Sequence, residues 1–92
     1  MKYHVYLLIT LRKNRYISYV GYTNNIKKRI NLHNSSKGAK FTKGNYWILI
    51  YKKSYKSKKN AMKAEYLLKK NYKLRLKLKK KFIYENSGII TL

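Results

Sequence analysis

The 92-residue sequence predicts a small α/β domain, a three-stranded and mostly antiparallel sheet flanked by helices in the order β-β-α-β-α-α. Three observations carry that prediction. Two β-branched and aromatic runs, residues 3–10 and 16–21, are separated only by the basic stretch 11–15, so they are close enough to pair as an antiparallel hairpin. Apolar residues then recur at helical spacing, Ile26 with Ile30 and later Ala61, Ala64 and Leu68. Between these two helical patterns, residues 46–52 read as a third strand that has to join the same sheet after a helical excursion. A chain of this length holds one domain with a compact core, here residues 3–80 followed by a short tail at 81–92.

The first strand is apolar enough to be central, and Asn14 is the expected turn residue after it. Gly21 breaks the second strand, and Thr23 or Asn24 is placed to cap a helix running from 24 to about 34. Residues 35–44 form a polar, basic loop whose two glycines and Lys-Gly-Ala-Lys-Phe centre point to an ordered segment. Trp47 is expected to pack within the third strand. Ser57 is placed to cap a second helix to about residue 71, whose apolar face carries Ala61, Ala64, Glu65, Leu68 and Tyr72. Residues 72–81 alternate apolar and basic side chains, a period that suits a strand. Leu, Lys and Arg are good helix formers, so a third helix is expected instead. The tail carries turn residues at 86–88 and the pair Ile89-Ile90.

Composition narrows the functions. There is no cysteine, which excludes disulfides, a cysteine nucleophile and a cysteine-ligated zinc site. No apolar run reaches the ~18 residues of a membrane span, so no membrane partner is expected. The N-terminal apolar run is short and lacks a small-residue cleavage site, which reads as an intracellular protein, cytoplasmic or nuclear. Twenty-four Lys and Arg stand against two acids, a formal charge of +22. Such a surface binds polyanions by releasing their counterions. Eleven tyrosines add rings that either fill the core or stack on unpaired bases.

A few residues carry chemistry. Arg29 and His33 are four apart, one above the other on a helix surface. Together with Tyr19 at a strand end and the Gly21 turn they could meet a phosphate; as a bland alternative, both face solvent and the tyrosines fill the sheet. His33 lacks cysteine or aspartate companions for zinc, and His4 reads as a strand residue without a task. Glu65 is the most informative position. It sits in an apolar stripe, where a carboxylate costs several kcal/mol on the order-of-magnitude scale unless it is paired or metal-bound. Either a basic partner such as Arg29 or a metal would answer that cost. Mg²⁺ keeps most of its waters and uses one or two carboxylates plus substrate phosphates, so a single-metal phosphodiesterase is compatible with one glutamate. A two-metal mechanism needs more acids than the chain owns.

These residues belong to five stretches: His4-Val5-Tyr6-Leu7-Leu8, Tyr19-Val20-Gly21-Tyr22-Thr23, Arg29 with His33, Lys37-Gly38-Ala39-Lys40-Phe41-Thr42, and Ala64-Glu65 followed by Leu68-Lys69-Lys70. In that order and with those gaps they resemble the GIY-YIG nuclease superfamily, above all its small stand-alone branch, akin to the nuclease subunit of structure-specific junction-cutting enzymes. The resemblance implies that Tyr6 is the general base or water-orienting group and that Tyr19 contacts the water or scissile phosphate. It implies that Arg29 stabilises transition-state charge, that His33 lies near the reacting centre and that Glu65 is the one metal-ligating residue, for Mg²⁺ or Mn²⁺. Such a tyrosine base needs its pKa, normally near ~10, lowered by nearby cations. Two departures stand out: His4 replaces the glycine of the first triplet, and of the late asparagines Asn71 and Asn86 neither fits the family position.

The expected function is thus a divalent-metal-dependent DNA endonuclease, selective for structure and not sequence, acting in repair or recombination on flap, branched or single-strand/duplex junction DNA. A protein partner is left open. Lys37, Lys40 and Lys43 of the loop, with Lys77, Lys79 and Lys80 of the third helix, are the expected backbone-phosphate contacts. The alternatives are a catalytically inactive nucleic-acid-binding module on the same fold, and a basic protein bound to ribosomal RNA or an acidic partner.

Overall fold

A computed structural model describes residues 2–86. Strands β1 (Tyr3–Arg12) and β2 (Arg15–Thr23) lead into helix α1 (Ile26–Asn34). A 3₁₀ turn at Lys40–Thr42 follows, then β3 (Ile48–Tyr55), α2 (Lys58–Lys70) and α3 (Tyr72–Asn86). The sheet order is β2-β1-β3 with both pairings antiparallel. The expected class and element order are therefore present.

β1 is central because its residues bury both of its faces: Val5 through Thr10 are all buried. Side chains alternate across a strand, so Val5 and Leu7 join Val20, Ala61 and Leu68 in one cluster, under α2. Tyr6 and Leu8 join Trp47 in a second cluster on the other face, against which Ile26 and Ile30 of α1 pack. The β1–β2 turn is only two residues, Lys13 and Asn14, both at positive φ (50° and 64°). That tight turn lets both strands run further than the sequence indicated, to Arg12 and from Arg15.

The helix ends differ from expectation where side chains compete for backbone donors. α1 is capped by Asn25, whose Oδ1 accepts from Lys28 N at 3.1 Å, while Thr23 Oγ1 accepts from Asn25 N at 3.1 Å and shapes the preceding turn. Neither Thr23 nor Asn24 is the cap. Ser57 does cap α2, accepting from Asn60 N at 3.1 Å. α2 stops at Lys70 because Asn71 Oδ1 accepts from Leu74 N at 3.0 Å and starts a new helix. Tyr72 consequently leaves the buried α2 face and is 62 % exposed.

α3 reaches Asn86, so residues 82–86 are helix and not tail; Asn86 Nδ2 closes the last turn on Phe82 O at 2.9 Å. No α3 residue is fully buried. The helix is tied down by Arg75, which donates to the C-terminal carbonyls of α2 at Leu68 and Lys69. The proposed turn at 86–88 and the Ile89-Ile90 pair lie outside the described residues, apart from Asn86. Trp47 sits one residue before β3 and is 1 % exposed.

Candidate active site

Cross-strand register brings the first two site residues together. Tyr6 pairs with Gly21 across β1 and β2, and paired residues project to the same face. A Cβ on Gly21 would overlap the Tyr6 hydroxyl. The glycine that ends the second apolar run therefore makes room for the phenol of the first. Tyr19, two residues earlier and on the same face, has its ring 6.5 Å from that of Tyr6.

His33 is held from three sides. It projects from α1 into the sheet face and is 1 % exposed. Its Nε2 lies 2.9 Å from the Tyr6 hydroxyl and its Nδ1 lies 2.9 Å from Thr42 Oγ1. Its ring meets Tyr19 edge-on at 5.1 Å, and a Cβ on Gly38 would come within 2.5 Å of Nδ1. The surrounding loop is pinned rather than loose. Asn34 exchanges two hydrogen bonds with the Trp47 backbone (2.6 Å and 3.2 Å), and Trp47 Nε1 donates to Thr42 O at 2.9 Å. The picture of Arg29 and His33 as two exposed neighbours on a helix surface thus fails for His33, because tertiary packing turns that face inward.

An open cleft of about 440 Å³ lies where β1 begins and β2 ends. Tyr6, Tyr19, Arg29 and Glu65 all line it, joined by Lys58 from the first turn of α2. Lys58 and Glu65 are seven residues apart and so share a helix face. α1 and α2 pack on opposite faces of the sheet, yet the Glu65 carboxylate reaches the same cleft as the tyrosines and the guanidinium. Glu65 is not paired with Arg29. Its ion pair is with Lys69, at 3.7 Å and one helical turn on, and its side chain is only 19 % exposed.

Burial dominates the electrostatics. It pushes the Tyr6 phenol well above its ordinary range, helped by neighbouring Tyr19; Arg29 opposes this and Glu65 adds to it. Tyr19 is raised by burial and then by Glu65, with Arg29 again opposing. Arg29 acts on both tyrosines in the lowering direction expected of a neighbouring cation, but burial outweighs it. His33 is lowered by burial and then by Arg29, both of which favour its neutral form.

Known proteins resemble this chain in sequence. The sequence matches the GIY-YIG catalytic domain over residues 2–80. The chain belongs to the GIY-YIG family. GIY-YIG domains are nuclease domains, so membership supports phosphodiester hydrolysis in general and a nucleic-acid substrate. Among small stand-alone relatives, it is 40 % identical over 82 residues to the UPF0213 protein YazA of Bacillus subtilis, covering 88 % of this chain and 76 % of that one. It is 38 % identical over 90 residues to a UPF0213 protein of Vibrio campbellii, covering 97 % and 80 % respectively. A solution NMR structure of the UPF0213 protein BH0048 from Bacillus halodurans is 30 % identical, with a TM-score of 0.45 over 96 % of this chain and 88 % of that one.

GIY-YIG nucleases generally use divalent metals, and in this chain Glu65 is the carboxylate that lines the cleft. Among the described residues, no three His, Cys, Asp or Glu side chains come together. Glu65 is the residue that could hold a divalent cation, since hard cations accept one carboxylate with water and substrate phosphate in the remaining positions. The basic residues foreseen as phosphate contacts do not line the cleft. Lys37 borders a separate recess beside α1, Lys40 opens the 3₁₀ turn and Lys43 follows it, and Lys77 and Lys80 are exposed on α3. Lys79 donates to Tyr16 O at 3.0 Å. Lys58, Gly38 and Thr42 escaped the sequence reading. Gly38 and Thr42 lie within the Lys37–Thr42 motif, but only the folded loop shows them against His33. Asn71 and Asn86 are both engaged in local helix hydrogen bonds. His4, read as idle, bonds Ser54 Oγ across β1 and β3 at 2.8 Å.

No helix among the described residues is long and apolar enough to cross a membrane.

Proposed function

We propose that this GIY-YIG chain is a divalent-metal-dependent DNA endonuclease that hydrolyses phosphodiester bonds, selecting DNA by structure and serving repair or recombination inside the cell. The observation behind this reading is the meeting of Tyr6, Tyr19, Arg29 and Glu65 in one cleft, with neutral His33 hydrogen-bonded behind Tyr6.

Each residue then has a task that its surroundings suit. Arg29 faces the equatorial oxygens of the phosphate, where fixed positive charge lowers the barrier most as negative charge develops. Tyr19 positions the water and the scissile phosphate at the cleft wall. Tyr6 orients the attacking water from the other side, in contact with a histidine that takes up a proton. Glu65 holds one Mg²⁺ or Mn²⁺, which when bound neutralises the phosphate and the leaving oxygen. The exposed lysines Lys37, Lys40, Lys43, Lys77 and Lys80 hold flanking backbone without reading sequence. Flaps, junctions and other branched DNA are the expected substrates, since contacts to backbone phosphates position DNA without reading its sequence.

The test is nicking of supercoiled plasmid and cleavage of labelled flap and junction DNA with Mg²⁺ or Mn²⁺. Glu65→Ala should still bind DNA while losing cleavage by at least ~100-fold, the scale of one preorganised charge contact. Wild-type protein that binds all three substrates and cuts none with any divalent ion would favour the inactive binding module.

A further inference from the structure

We infer that Thr42 is a positioning residue: it fixes the proton of His33 on Nδ1 and thereby makes Tyr6 the donor in the Tyr6–His33 hydrogen bond. The consequence for catalysis rests on the nuclease reading above; the tautomer assignment does not.

A threonine hydroxyl has one hydrogen to give and lone pairs to receive. Thr42 Oγ1 lies 2.8 Å from Ala39 O, inside the 3₁₀ turn, and donates to it. The carbonyl cannot donate in return. Having given its hydrogen away, Oγ1 can only accept from His33 Nδ1, 2.9 Å distant. The reverse orientation would leave two oxygens facing each other at 2.8 Å with no hydrogen between them, in a pocket without solvent: Thr42 is 0 % and His33 1 % exposed. Ala39 O also accepts from Thr42 N at 3.0 Å, so the cost of that orientation is the bare approach of two oxygen lone pairs in a buried site. The neutral imidazole has one N–H, so Nε2 is left with a lone pair. The Tyr6 hydroxyl, 2.9 Å from Nε2, points its hydrogen there. The ionisable groups facing His33 are Tyr6, Tyr19 and Arg29, and none of them offers Nδ1 an alternative partner.

The direction of that hydrogen matters for a phenol whose burial opposes ionisation. A protonated phenol aimed at a neutral imidazole acts as a relay and need not ionise first. As the water oxygen forms its bond to phosphorus, one water O–H breaks and its proton passes to the Tyr6 oxygen. The Tyr6 O–H breaks in turn, and its proton is taken by the Nε2 lone pair. The ester P–O bond breaks and the leaving oxygen takes a proton from solvent. The imidazolium so formed donates from Nδ1 to Thr42 and from Nε2 to Tyr6, then returns a proton to water. With the opposite tautomer Nε2 would carry hydrogen, and no acceptor would stand behind Tyr6.

Nitrogen-15 NMR of the imidazole rings reads the assignment directly. The protein has two histidines, His4 and His33. In wild-type protein near pH 8, His33 should show a protonated Nδ1 and an unprotonated Nε2; the reverse pattern overturns the inference without any variant. Thr42→Val, which removes the acceptor at nearly constant volume, should shift His33 toward the Nε2–H form. It should lower kcat by roughly 10- to 100-fold, within the range general-base catalysis contributes, with KM little changed. Thr42→Ser should restore both the wild-type ring pattern and the rate. A folded Thr42→Val protein with the wild-type tautomer and kcat–pH profile refutes the positioning role. A wild-type protein with Nδ1–H that cleaves no DNA would leave the assignment standing and remove the nuclease reading alone.

Discussion

Two hydrogen bonds and near-complete loss of solvent change His33 from a helix-face residue into a buried neutral imidazole. Because its folded pKa lies below the ordinary value of about 6.5, linkage has a definite sign. The unfolded chain takes up the proton more readily, so His33 favours the folded state fully above about pH 6.5 and loses that contribution as pH falls through its lowered folded value. Wild-type unfolding free energy should therefore drop between pH 7.5 and pH 5 by more than that of His33→Gln, measured by urea denaturation; parallel profiles would show that His33 is not the titrating group. The same residue shows the limit of sequence reasoning. The spacing of Arg29 and His33 correctly puts them on one side of α1, but spacing cannot tell a solvent face from a face turned against a sheet. Glu65 shows the complementary case. A carboxylate in an apolar stripe marks an unusual position, yet its reach into the cleft depends on where α2 crosses the end of the sheet.

At the level of elements, the loop between α1 and β3 does the most to arrange the site. It places Gly38 and Thr42 against His33, and it is anchored by the Asn34 side chain on the Trp47 backbone. Asn34→Ala removes both anchoring hydrogen bonds and leaves Trp47 backbone groups to find other partners. It should cost about 1–3 kcal/mol, the range for a lost partner of a buried polar group. Hydrogen exchange of the loop amides should accelerate while α3 amides stay unchanged; equal acceleration throughout would mean general destabilisation instead. The strands were readable from β-branched and aromatic runs, and α2 from its Ser57 cap. The break between α2 and α3 near residue 71 was readable as well; what was not is that Asn71 serves as a helix end and a helix start at one position, which takes Tyr72 off the buried α2 face.

The whole molecule is set by its charge of +22 on a small domain. Self-repulsion of like charges opposes the compact state, and salt relieves it. Binding to DNA depends on counterion release and weakens with salt, by a slope of about 0.9 per phosphate contacted. The two responses should have opposite signs: between 50 mM and 500 mM NaCl the thermal midpoint should rise by several degrees while DNA affinity falls steeply. A thermal midpoint that falls with salt would show that attractive networks, and not net repulsion, govern the fold. Charge also explains why single lysines are hard to assign from sequence. With so many, composition predicts a polyanion partner but not which lysines face it, and the cation that lines the cleft beside Arg29 is Lys58.

Local chemistry was written in the chain: alternating and helical periods set the elements, the lone interior glutamate marked the unusual helix, and five ordered motifs pointed to GIY-YIG membership. What only the tertiary structure decided is the surroundings of each candidate site residue. Strand register put Gly21 opposite Tyr6, packing buried His33 and Tyr6, and the 3₁₀ turn aimed Thr42 at Nδ1. Ionisation and proton placement depend on which atoms lie within about 3 Å, and those neighbours are far apart along the chain until the sheet and loop close around them.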